Sequence, residues 1–305
     1  MSNKRNLSIS FLILPLLWFI FSCDKIEPPF TTINETINNP DTVDTTSGAI
    51  RKVLLEDFTG HKCGYCPQAA TIAQQLIAIN GERLVVMSLH VGETFATPET
   101  PSGAPFGSFL EDFRTTVGDE IEAFYNVDDQ GLPKGMVNRR DPSGDLVPDP
   151  IEQYDNCVLP RADWEAAVQA VIDLPADIDI SITNTYDTAS RIVSASVETE
   201  FLNNLSGTYN VAVYLTEDSI ISWQKDQTAN PQYIEDYVQR HVLRGSLNGT
   251  WGELVDPAPV VNTLYTKSYN LMLDNTWDEN HCSIVAFVYE TTSKEVVQVE
   301  EAHVK

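Results

Sequence analysis

The chain has 305 residues, 42% of them hydrophobic and 9% aromatic, and a formal charge of −25. That length suits two domains by the soft prior on domain size. A chain so acidic repels nucleic acid and anionic lipid headgroups, which excludes both as partners held by charge.

Lys4 and Arg5 precede an unbroken apolar run from Phe11 to Phe21. The run is shorter than the about 20 apolar residues of a membrane-spanning helix. It reads as a signal peptide over residues 1–22. Ile20-Phe21-Ser22-Cys23 resembles the lipobox of bacterial lipoproteins. That resemblance implies cleavage before Cys23 and a lipid on Cys23, which anchors a protein without spanning the bilayer. A conventional signal followed by a chance cysteine is the alternative. Residues 23–48, rich in Thr, Asn, Pro and Asp, read as a lipidated tether, because they cannot bury enough surface to fold. As a flexible coil such a tether reaches roughly 25–30 Å.

Arg51 to Phe58 predicts a first buried strand. A helix follows from about Gly64 to Ile79, with Ala69, Ile72, Ala73, Leu76 and Ile79 on one face. Asn80-Gly81 stops it. Arg83 to Val91 predicts a second buried strand, giving a βαβ unit and a parallel pair. Residues 92–107 carry three Pro and three Gly and read as an inserted loop. Helices are expected over Ser108–Val117 and Asp119–Tyr125. Leu132-Pro133 leads to a short strand, Gly135 to Arg139. Residues 141–150 are a turn-rich connection, and Trp164, Ala167, Val168, Val171 and Ile172 mark a helix near 161–173.

After Leu174-Pro175 the period changes from helical to alternating. Ile178, Ile180 and Ile182 alternate with polar residues, as do Val193, Ala195 and Val197, then Val211, Val213 and Leu215, and Ile284, Ala286 and Val288. Further strands are expected at Tyr237–Arg244, Leu264–Leu273 and Glu295–Val304. Some seven strands without helices predict an all-β, immunoglobulin-like sandwich domain over 175–305, behind an α/β domain over 49–174.

The residues with chemistry lie at the end of the first strand. Thr59-Gly60-His61-Lys62-Cys63-Gly64-Tyr65-Cys66-Pro67 places a Cys-x-x-Cys pair at a helix start. The helix N-terminus offers unpaired N–H groups and a partial positive charge, which favour thiolate over thiol. Pro67 suits the first helical turn, where its missing N–H costs nothing. A zinc site is disfavoured, because no second Cys-x-x-Cys or His pair at finger spacing exists. A c-type haem needs a histidine where Pro67 stands. No cofactor is expected. A structural disulfide without activity remains the competing reading of Cys63 and Cys66.

Residues 50–173 resemble a thioredoxin-fold domain. The resemblance makes Cys63 the exposed nucleophile, Cys66 the resolving thiol, Asp57 the buried acid and Pro133 a cis-proline facing the dithiol. A buried carboxylate has a raised pKa and can take the resolving thiol's proton. His61-Lys62 and Lys134 depart from the family's usual residues. His90 ends the second strand and reads mainly as a hydrogen-bonded strand-end residue. His241, His281 and His303 read as structural, and Arg139 and Arg140 as partners of carboxylates. Cys157 and Cys282 are left over, and a bridge between them is a candidate structural disulfide against two buried free thiols.

A narrower resemblance covers roughly residues 50–305. It rests on Thr59-Gly60-His61-Lys62-Cys63, Leu132-Pro133-Lys134-Gly135, His241-Val242-Leu243-Arg244-Gly245, Trp251-Gly252-Glu253, Ser283 to Tyr289 and Gln298-Val299-Glu300-Glu301-Ala302. These resemble the twenty-eight-kilodalton outer-membrane-protein (Omp-twenty-eight-related) family of bacterial lipoproteins. The resemblance implies an outer-membrane, lipid-anchored protein on the periplasmic or cell-surface face. Two functions follow as expectations. One is thiol–disulfide exchange on exported protein thiols or disulfides. The other is surface binding or adhesion to a ligand, with the cystine as a staple.

Overall fold

The structure, a computed structural model, describes residues 48–100, 102, 107–141 and 157–305. The signal segment, Cys23 and nearly all of the tether lie outside the described residues, as does most of the connection at 141–150.

Strand β1 (Val53–Thr59) is buried along its whole length and pairs in parallel with β2 (Leu84–His90), from Val53↔Leu84 to Thr59↔His90. Helix α1 (Cys66–Asn80) connects them and ends at Gly81, whose φ of 59° a side chain would strain. Beyond the short α2 (Glu93–Ala96) comes α3 (Thr116–Tyr125). Strand β3 (Lys134–Val137) runs antiparallel to β1, and β4 (Leu159–Pro160) pairs with β3. Helix α4 (Trp164–Ile172) packs so closely on β3 that a Cβ at Gly135 would lie 2.6 Å from the Trp164 ring.

The strands from residue 178 on pair antiparallel with one another. β5 (Ile178–Asp187), β6 (Ile192–Phe201) and β12 (Leu264–Met272) form a three-stranded sheet in the order β12-β6-β5. β8 (Ile220–Lys225) and β9 (Tyr233–Gln239) form a separate hairpin. The remaining strands are β7 (Tyr209–Glu217), β10 (Val242–Ser246), β11 (Glu253–Leu254), β13 (Cys282–Glu290) and β14 (Val296–His303). All of these extend the first sheet, in the order β14-β13-β7-β10-β2-β1-β3-β4 with β11 on β7. The join is β10 against β2, parallel at Val242↔Ser88, with the Ser88 N–H donating to the His241 carbonyl at 2.8 Å. The pattern change near residue 175 therefore coincides with a change of strand chemistry, while one sheet carries strands from both sides of it. Every described sheet has open ends, so none is a barrel.

Three apolar cores follow from the alternation along the strands. Val53, Leu55 and Val86 face α1 and α4. Leu54, Phe58, Met87 and Leu89 face the other way, with Ile121 and Tyr125 of α3 and with Tyr214, Phe287 and Tyr289. The third core lies between the three-stranded sheet and Val211, Val213, Leu215, Ile284 and Val288.

Four expectations change. Residues 108–115 form no helix. Thr115 caps α3 by accepting from the Gly118 N–H at 2.9 Å, so the helix starts there, and Phe109 sits at φ 55°. The strand expected to Arg139 stops at Val137, because Asn138 and Arg139 both take positive φ. The strand expected at 237–244 is two, divided at His241 with φ 53°. The bridge between Cys157 and Cys282 is absent and both thiols are free. Cys157 packs beside Met136 in the core containing Tyr214 and Phe287, whereas Cys282 lies in the core containing Val213 and Ile284. Those cores occupy opposite faces of β7 and β13, so the sheet itself separates the two sulfurs.

Candidate functional site

The polar turn after β1 is closed by the Cys63 N–H donating to the Gly60 carbonyl at 2.9 Å. It packs tightly on the segment that follows β2. A Cβ at Gly60 would sit 2.6 Å from the Phe95 carbonyl oxygen, and Lys62 N–H donates to that same carbonyl at 3.0 Å. Cys66 opens α1 with Pro67 in the first turn, and Cys63 and Cys66 are joined in a disulfide.

Both cysteines are covered: Cys63 is 1% exposed and Cys66 2%. The expectation of an exposed Cys63 is therefore corrected. The cover is the β8–β9 hairpin and the turn between its strands. Lys225 N–H donates to the His61 carbonyl at 2.8 Å, and Gln227 N–H to the Gly64 carbonyl at 2.7 Å. The Gln224 side-chain amide donates to the carbonyls of Gly60 at 3.3 Å and Cys63 at 3.1 Å, and Gln239 donates to the Gln224 Oε1 at 3.1 Å. An extended segment thus lies along the cystine turn as an added strand would, supplying backbone donors to the carbonyls of His61 and Gly64.

Asp57 lies on the α1 side of β1, in step with Val53 and Leu55. It is 2% exposed and its Oδ1 has no hydrogen-bond partner. Burial pushes its carboxyl up to about 7. A cavity of about 410 Å³ lies between α1, β1, β2 and the hairpin, and Asp57, Cys66, Ala70, Gln74, Tyr237 and Gln239 line it. Cys63 is not among its lining residues. The structure thus brings Asp57 and Cys66 onto one cavity.

The Leu132–Pro133 peptide bond is cis, and Pro133 is buried. Lys134 pairs with Phe58, so Pro133 sits at the end of β1 from which the cystine turn leaves.

On the other side of the turn lies an aromatic cluster. His61 has its ring centre 5.3 Å from that of Phe109 and 6.0 Å from Phe113, and His90 lies 4.9 Å from Phe113. Phe109 in turn meets Trp223 and Tyr233 of the hairpin. Burial lowers His61 to about 4 and His90 to about 3, so both rings are neutral near pH 7. This cluster explains the burial of Phe109 and Phe113, which their spacing assigned to a helix face.

His241 sits at the β9–β10 junction, 3.3 Å from the Gln74 amide, and burial lowers its pKa. His303 meets Ser283 at 3.0 Å, and His281 lies near Asp278. Arg139 forms a buried two-bond pair with Glu56, and Arg140 lies 3.7 Å from Glu295. Among the described residues no three His, Cys, Asp or Glu side chains converge as a metal site would require.

Gln224, Gln239 and Tyr237 escaped the sequence reasoning. The β-branched and aromatic residues of Ile220–Lys225 and Tyr233–Gln239, on either side of Asn230-Pro231, are the signal that could have found their hairpin; nothing local marks what it covers.

The profile of the family described as outer membrane protein Omp28 matches residues 119–305. No curated protein matches the chain. Among solved structures, HBP35 of Porphyromonas gingivalis is similar in fold, with a TM-score of 0.55 at 15% identity over 84% of this chain and 76% of that one. A domain of the outer membrane lipoprotein Omp28 from Porphyromonas gingivalis is 27% identical over 44% of this chain and 93% of its own, with a TM-score of 0.30. A protein from Agrobacterium tumefaciens gives a TM-score of 0.46 at 14% identity over 83% of this chain and 94% of that one.

Proposed function

Because the chain belongs to the Omp28 family of outer membrane proteins, we propose that it is an outer-membrane lipoprotein whose Cys63–Cys66 pair exchanges with exported thiols and disulfides. In this reading a lipid on Cys23 and the tether to residue 48 hold the protein at the membrane. No helix among the described residues is long and apolar enough to cross a bilayer. Residues 49–174 act as a thioredoxin-like unit, and the strands of 175–305 as an immunoglobulin-like sandwich sharing its sheet.

The observation that carries the reading is the placement of Asp57. An unpartnered carboxyl oxygen lines the same cavity as Cys66, with its titration near neutral pH. A group so placed accepts a thiol proton in one direction and returns it in the other, which a purely structural cystine does not require. The start of α1 at Cys66 favours thiolate at the reduced pair. The thioredoxin resemblance gives Cys63 the attacking role and Cys66 the resolving one, with Pro133 beside the turn.

A second reading has its own support. Both sulfurs are buried beneath a hydrogen-bonded hairpin, as suits a staple in a surface-binding protein. Titrating the folded protein with dithiothreitol and alkylating across pH decides between them. Exchange predicts opening of the cystine without unfolding, and a thiol reacting with a pKa well below about 8.5. A cystine that stays closed until the protein unfolds leaves the binding reading standing.

A further inference from the structure

Resting on the exchange reading, we infer that the thiol partner of this cystine in the folded protein is a small molecule that enters the cavity and reacts at Cys66. A protein strand laid along the cystine turn is not the partner.

Two routes lead towards the sulfurs, and they differ. The route along the turn, where an extended protein segment would pair with backbone, is filled by residues 224–227. Their bonds to the carbonyls of Gly60, His61, Cys63 and Gly64 occupy the groups such a segment would use. The second route is the cavity. Its mouth is formed by the exposed Thr71 on α1 and the exposed Asp236 and Arg240 on the hairpin. Its floor is formed by the buried Asp57, Cys66 and Val86. A volume of about 410 Å³ suits a small organic molecule and not a folded polypeptide. The lining mixes apolar faces, Ala70, Ala73 and Ile234, with the amides of Gln74 and Gln239. That surface fits a low-molecular-mass thiol carrying amide or amino-acid groups.

The chemistry closes on the residues present. The small thiol gives its proton to the Asp57 carboxylate, and its sulfur attacks Cys66 Sγ. The Cys63–Cys66 bond breaks, and Cys63 leaves as a thiolate that takes up the proton. A second small thiol gives its proton to the Asp57 carboxylate, which passes it on to Cys66, and its sulfur attacks the sulfur of the molecule held on Cys66. A small-molecule disulfide departs, and the Cys66 thiolate is protonated. Two thiols are oxidised and one cystine is reduced, with two electrons and two protons transferred. The mixed disulfide therefore forms on Cys66, the reverse of the order that the thioredoxin resemblance assigns.

Rates of cystine reduction in the folded full chain test this, with cysteine and reduced thioredoxin as the two probes. The expected result is that cysteine opens the cystine at least tenfold faster than thioredoxin at equal thiol. Ala70→Leu, which fills the cavity, and Thr71→Trp, which narrows its exposed mouth, should each slow cysteine about tenfold. With cystine as oxidant, Cys63→Ala should trap a cysteinyl adduct on Cys66, while Cys66→Ala leaves Cys63 unmodified. Faster reduction by thioredoxin, no effect from either cavity variant, or an adduct on Cys63 would overturn the inference and leave exchange intact. If neither probe opens the folded protein, exchange itself fails, and the inference with it.

Discussion

The Gln224 side chain donates to the Cys63 carbonyl at 3.1 Å, and so fastens the β8–β9 hairpin to the turn that carries the cystine. The same amide reaches Gly60, and Gln239 holds it from behind. Gln224→Ala removes these bonds and leaves the buried Gln239 amide without its acceptor, a loss of about 1–3 kcal/mol. Most of that loss falls on local opening of the hairpin, not on the whole fold. Reduction of the cystine by thioredoxin should then rise about tenfold or more, measured as the initial rate of alkylatable Cys63. An unchanged rate would show that the hairpin is not what limits access.

Asp57 gives a pH signature. Its folded pKa of about 7 lies above its ordinary value, so the folded state holds a proton that the unfolded state has released. The stability contributed by that proton is fully present below about pH 4 and is lost as pH rises through about 7. Three pKa units amount to roughly 4 kcal/mol. Asp57→Asn should therefore unfold at higher denaturant than the wild type above pH 7, and the gap should close towards pH 4. Parallel urea titrations at both pH values check this.

His61 and His90 act with the opposite sign. Their folded pKa values, about 4 and 3, lie below the ordinary value, so the unfolded state takes up protons first as pH falls. Their stabilising contribution is present above about pH 6.5 and is lost on acidification towards those values. His90→Phe, with a ring suited to the contact with Phe113, should lose less stability than the wild type between pH 6.5 and 4. Thermal melts across that window provide the measurement.

Arg139 and Glu56 form a pair with both side chains fully buried, the guanidinium lying 5.0 Å from the centre of the Phe287 ring. Glu56→Gln or Arg139→Met should each cost about 3–5 kcal/mol, since either leaves a buried charge alone. The double replacement Glu56→Gln with Arg139→Met should cost less than the two single losses together. Denaturant midpoints of the four proteins give the coupling.

Cys157 and Cys282 should stay silent in the folded protein. Burial pushes both thiols up to about 12, so almost no thiolate exists near pH 8. Iodoacetamide without reductant should label neither until denaturant is added, and then both, as peptide mapping would show.

Much of the first half could be read from the chain. The run Val53–Phe58, the helical spacing of Ala69, Ala73 and Leu76, and the Cys-x-x-Cys at a helix start are local signals, and β1, α1 and β2 follow them. Phe109, Phe113 and Val117 also repeat at helical spacing. They are buried instead by wrapping round His61 and His90, a tertiary effect without a local signature. Val242 and Leu243 form a short apolar pair like many others, and nothing near them reveals that Val242 pairs with Ser88. The cystine was legible and its cover was not, because Gln224 reaches it across 161 residues of sequence.

That separation has a meaning in time. A ribosome makes about 5–20 residues each second, so on the order of ten seconds divide the appearance of Cys63 from that of Gln224. During that interval the two thiols stand at the start of a young helix with no strand laid over them. A bond closed in that interval is one that the finished molecule then shelters. The hairpin arrives as the later event, and the chain is born with its cysteine pair uncovered.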